Sequence, residues 1–184
     1  EEIHKNFSVS VLISVMTACI TADYISSQFL GFHSVFQFDI AKEILPRYYG
    51  HIIVLGIILG LLGAFYNKMT MWVQSLYYKA KGLNETTRLL IPFLLAGILG
   101  FLVPQVLGSG HDLIETAAGG QLMLSALLGL LGLKFVFSLI SFGSGAPGGI
   151  FFPLLVLGAL IGGSYGTFAA EYMGMDPAYI SNFV

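Results

Sequence analysis

Residues 141–153 read SFGSGAPGGIFFP, thirteen residues without a charge, holding four glycines and two prolines between two long apolar runs. Glycine and proline end helices, and an aqueous connection would be expected to contain charged side chains. The surroundings are as bare. From residue 116 to 170 the only charged side chain is Lys134, and residues 89–110 have none. A bilayer needs roughly 20 apolar residues per spanning helix, so several helices are expected to cross it, with the 141–153 stretch as a break at membrane depth. Non-helical backbone is tolerated there only where protein buries it or where it lines a water-filled cavity.

Composition agrees. The 184 residues are 56% hydrophobic and 10% charged, against about a quarter charged in soluble domains. Polar punctuation separates five apolar segments, residues 3–30, 49–78, 88–106, 122–142 and 150–173. All are expected to be helical, because open strands would leave backbone groups unpaired in hydrocarbon, so the fold class is all-α. Lys79, Lys81 and Arg88 lie in one linker, while Asp39, Lys42, Glu43 and Arg47 balance one another in another. The positive-inside rule sets the first of these in the cytoplasm, residues 31–48 outside, and Glu1 and Glu2 back on the cytoplasmic side. Asn84 is the expected N-cap of the third segment, with Glu85 in its first turn.

Cys19 stands alone, which excludes an internal disulfide and a cysteine metal cluster. The four histidines are scattered without a second ligand at helical spacing, so neither metal nor cofactor is expected. A net charge of −2 points to no nucleic-acid partner. The chain opens on Glu-Glu-Ile and stops inside an apolar run, so it is expected to be part of one domain truncated at both ends.

Small residues recur every fourth position at Ser10, Ser14, Ala18 and Ala22, and at Gly158, Gly162 and Gly166, with a shorter pair at Gly56 and Gly60. Such stripes let helices approach closely, either within one subunit or between two. Trp72, Tyr77 and Tyr78 beside Lys79 and Lys81 form an expected interfacial belt. Asp23 and Glu171 are expected to be solvated.

At the break, Gly148 and Gly149 lead into a helix expected to begin near Ile150. Its first N–H groups lack intrahelical partners and lie at the positive end of the helix dipole, which attracts anions. Pro153 gives up an N–H that had no partner to lose, leaving the amides of Ile150 and Phe151 outward. Partial charges suit an ion in transit, since a full charge would hold it too strongly for release. By these arguments alone the break is equally an anion site or a structural kink. A rival class, an intramembrane serine protease with Ser144 as nucleophile, needs a histidine within hydrogen-bond reach; neither flanking helix contains one.

The stretch GSGAPGGIFFP, residues 143–153, resembles the GxFxP anion-binding stretch of the CLC family of chloride channels and chloride/proton antiporters. GIFFP at residues 149–153 fits every fixed position, and the bacterial members are matched closely. The resemblance extends over the chain, including Glu1-Glu2, NKMTMWVQSLYYKAKG and GSGHDLIE. It implies a polytopic CLC-type transmembrane domain with broken or re-entrant helices, present here in part, in a bacterial cytoplasmic membrane. The implied cargo is chloride, with protons as the coupled ion. Implied anion contacts are Gly149, the Ile150 and Phe151 amides, and the loop geometry set by Pro153.

The family's GSGxP loop and gating-glutamate GxEGP loop would precede Glu1, and a tyrosine capping the path would follow Val184. Glu2 matches an internal proton-transfer residue of the exchangers, where channels usually have an apolar side chain. Read without the family, it is a solvated terminal charge. The antiporter is therefore expected over a passive channel, and no enzyme activity is expected. Lys134, deep in its helix, has either an electrostatic role toward chloride or a structural one on helix-end carbonyls. The resemblance also implies a homodimer joined through residues 3–30.

Overall fold

The computed structural model describes residues 8–31, 43–80, 82–108, 110–120 and 122–184. These form helices α1 (Val9–Leu30), α2 (Tyr49–Lys79), α3 (Glu85–Leu102), α4 (His111–Ala118), α5 (Leu124–Gly143) and α6 (Phe151–Tyr172), with short 3-10 segments at Pro46–Tyr48, Pro104–Val106 and Pro177–Phe183. Among the described residues there is no strand. All but α4 are long and apolar enough to cross a membrane, and these five correspond to the five apolar segments of the sequence. The chain is an all-α integral membrane protein.

The helix ends follow local chemistry. Asn84 does occupy the N-cap of α3, in extended conformation, yet its side chain makes no capping hydrogen bond. The third segment was expected to run to residue 106 but stops at Leu102. Pro104 disfavours helical backbone at the residue before it, and Val103 is found at φ −144° and ψ 73°. Asp176 opens the Pro177–Phe183 segment by accepting the Ala178 N–H at 3.0 Å.

The chain divides into two compact units, Glu1–Gln37 and Phe38–Val184. The first holds α1, whose side chains are exposed almost throughout. Some of its hydroxyls are satisfied on the helix itself: Ser14, Thr17 and Thr21 donate to the carbonyls of Ser10, Ile13 and Thr17 at 2.7–2.9 Å. Polar side chains satisfied on their own helix cost little in lipid.

The second unit is built around α6, half buried where the other candidate spans are less than a quarter buried. It packs against α5, α4, α2 and the Pro177–Phe183 segment. The glycine stripe makes this approach possible, since a Cβ on Gly162 would collide with the Phe183 carbonyl and one on Gly166 would lie 3.3 Å from Ile180 Cα. Those two glycines therefore serve packing within the chain. Gly158 instead lines an apolar cavity of about 350 Å³ between α2, α5 and α6, and Gly56 and Gly60 face open space.

Candidate functional site

The last turn of α5 sets the break in place. Gly143 lies so close to α2 that a Cβ there would come 2.5 Å from Val73 Cγ1. The Gly145 N–H donates to the Phe142 carbonyl at 3.2 Å, and Gly145 itself turns the chain at φ 83°, a conformation that glycine adopts without strain. Gly145 sits beside the Tyr78 hydroxyl, and the Arg88 guanidinium carbon stands 4.5 Å from the Tyr78 ring centroid. The loop thus starts level with the final turn of α2.

Ser144 is buried in this turn. Its Oγ donates to the Ser141 carbonyl at 2.7 Å and accepts the Ala146 N–H at 3.3 Å. No histidine among the described residues bonds to it: His51 shares a 2.9 Å hydrogen bond with the Tyr165 hydroxyl, and His111 faces Glu115 at 3.2 Å. The serine has a structural use, and among the described residues no histidine serves it as a base.

Beyond the turn, residues 147–150 are exposed and non-helical. Helix α6 begins at Phe151, one residue later than expected, with Ile150 as its N-cap at φ −87° and ψ −11° and no side-chain cap. The first backbone bond across this junction runs from the Leu154 N–H to the Ile150 carbonyl at 3.2 Å. Among the described residues no carbonyl accepts from the N–H of Ile150, Phe151 or Phe152. Pro153, at the third helical position, has no N–H at all. The outcome is a turn of free donors at the positive end of a 22-residue helix. Phe152 adds a donor beside the two expected from the sequence, since its N–H too falls in the unpaired first turn.

The structure brings Gly149, Ile150, Phe151 and Pro153 together in this one turn. Lys134 is placed elsewhere, in the middle of α5, about 14 Å along the helix from Gly143 at 1.5 Å per residue. It is buried, and its Nζ donates to the carbonyls of Val106 at 2.7 Å and Gly108 at 3.3 Å. Two residues on, Gly110 caps α4 in the left-handed region at φ 76°, and a Cβ there would lie 2.7 Å from Val156 Cγ2 of α6. Lys134 therefore clamps the chain that seats α4 on α6. Glu2 lies outside the described residues.

The proposed aromatic belt needs one change. Trp72 and Tyr78 are exposed, but Tyr77 turns inward and is buried. Asp23 and Glu171 are exposed, as expected of solvated acids.

Compared with known families, the chain matches the model described as voltage gated chloride channel, over residues 1–184.

Proposed function

The chain belongs to the voltage-gated chloride channel family, whose members move anions across membranes, and from that premise we propose that it is part of a subunit exchanging chloride for protons. The observation that carries the reading is the uncapped start of α6, with the Ile150 and Phe151 amides unpaired at an uncharged glycine-rich loop. Chloride is held there by backbone N–H groups and the helix dipole, strongly enough to be selected and weakly enough to leave. Gly149 lets the chain pass close to the ion, and Pro153 starts the helix without adding a donor.

Glu2 is the proton-transfer residue on the cytoplasmic side. Lys134 acts chiefly through the clamp on Val106 and Gly108, and its charge adds to the potential that draws anions inward. The membrane is a bacterial cytoplasmic membrane. The subunit is part of a homodimer through residues 3–30, where the Ser10, Ser14, Ala18 and Ala22 stripe of α1 forms the contact. Tryptophan at Ser14 and Ala18 would then separate the subunits on size exclusion; an unchanged dimer would remove this contact from the account.

The test uses the full-length protein in chloride-loaded liposomes, following chloride efflux and external pH together, before and after Glu2→Gln. Chloride leaving should drive protons into the vesicles, and the substitution should stop the protons while chloride still flows. Chloride flux without proton movement in either form would make the protein a passive channel, and no chloride flux would leave the loop a structural kink.

A further inference from the structure

At the end of α6 remote from the glycine-rich loop, a groove of about 680 Å³ opens between α2 and α6. Its two halves differ in chemistry. Along the span Pro46–Lys79 the lining passes from Arg47 and His51 to Val54 and Ile58; α6 runs antiparallel, with Tyr165 beside His51 and Phe168 one turn nearer the Arg47 end. Among the described residues no acidic side chain lines it.

The polar end is rigidly backed. Tyr48 is buried against Tyr179, ring centroids 4.9 Å apart, and the Arg47 guanidinium carbon stands 4.7 Å from the Tyr48 ring centroid. Arg47 has no carboxylate partner among the described residues, so its donors remain available. His51 packs its ring edge-on to Phe183 and spends one nitrogen on the Tyr165 hydroxyl; the other has no partner among the described residues. A guanidinium, an imidazole nitrogen and a phenol thus line one side of the groove, with no acidic side chain beside them among the described residues.

The apolar end points along the membrane-spanning part of α2. From Arg47 to Ile58 the rise is about 16 Å, and Arg47 lies in the first residues of the span Pro46–Lys79. That places the charge at headgroup level and the apolar walls at acyl-chain level. Val54 is exposed, at 46%. A free inorganic anion would match only the polar end, whereas the whole groove matches a molecule with one anionic head and a long apolar tail. Basic pockets between membrane helices recognise lipid headgroups in this way.

We infer that this groove holds one anionic phospholipid, its phosphate on Arg47 and the His51 and Tyr165 pair and one acyl chain along Val54 and Ile58. The inference stands on the second unit alone and is independent of the transport mechanism.

The experiment is native mass spectrometry of the full-length protein in detergent, titrated with phosphatidylglycerol or phosphatidylcholine of equal chain length. The wild type should retain one phosphatidylglycerol per subunit with about fivefold preference, one basic residue's share at a charged surface. Arg47→Gln should abolish the preference and Arg47→Lys should keep most of it. Val54→Trp, which fills the acyl end, should lower retention of both lipids. Lys79→Gln, at the opposite end of α2, should change nothing. Equal retention of the two lipids by the wild type would overturn the inference, as would a loss in Lys79→Gln matching that in Arg47→Gln. Displacement of the lipid by equimolar inorganic phosphate would identify a free-anion site instead. Should Arg47→Gln fail to fold, the Arg47→Lys and Val54→Trp pair decides the matter.

Discussion

Phe151 brings two separable things to the glycine-rich loop, a backbone amide and a ring that is 69% exposed and stands edge-on to Phe152. Phe151→Ala removes the ring alone. It should alter transport rate while calorimetry shows chloride affinity held within about threefold, less than one hydrogen bond's worth. Replacing the residue-151 amide by an ester removes the N–H alone and should weaken chloride binding by about ten- to a hundredfold, the span of 1.5–3 kcal/mol for a hydrogen bond to a charged partner. The opposite ranking would move the anion from the amides to the aromatic surface. Lys134 presents a different case. Lys134→Met leaves the buried Val106 carbonyl unpaired, a loss of about 1–3 kcal/mol, so the melting temperature should drop by several degrees. An unchanged melting temperature would mean that the clamp carries no stability. The carbonyl partners of Lys134 could not be read from the sequence, because backbone acceptors leave no mark in side-chain identity.

At the scale of elements, α6 is held by how closely its glycines admit a neighbour. Gly162→Ala drives a methyl into the Phe183 carbonyl and should destabilise by about 1–3 kcal/mol, as overpacking does. Gly158→Ala meets nothing within 4 Å and should melt with the wild type; equal melting of the two variants would contradict the packing described. The glycine repeat was visible in the sequence, but its partner was not. Pro177–Phe183 is a 3-10 segment whose only local signals are Pro177 and the Asp176 cap, and so short an element has no hydrophobic period to detect. The eight residues of α4 escaped for the same reason, hidden between a charge-free run and the next span. The start of α6 lies one residue later than expected, and Phe152 is among the free donors in either register because the first turn of any helix leaves its N–H groups unpaired.

For the whole molecule, the five spans could be read because apolar length is a property of the chain itself, indifferent to what packs where. The candidate site was legible to the extent that it is made of backbone: glycines, an uncharged loop and a proline announce an uncapped helix start without any side chain to confuse them. Tertiary pairings were not legible, and these include the Lys134 clamp, the Tyr78 and Arg88 contact beside Gly145, and the two-sided groove at Arg47. Each depends on which helices become neighbours, and a periodic apolar pattern does not encode that. The central claim is that the start of α6 holds the transported anion on its amides. Its most direct measurement is anomalous diffraction from crystals of the full-length protein grown in bromide. The account predicts a bromide peak within hydrogen-bonding reach of the Ile150 and Phe151 nitrogens; a fully occupied bromide elsewhere along the pathway, with none at this turn, would contradict it.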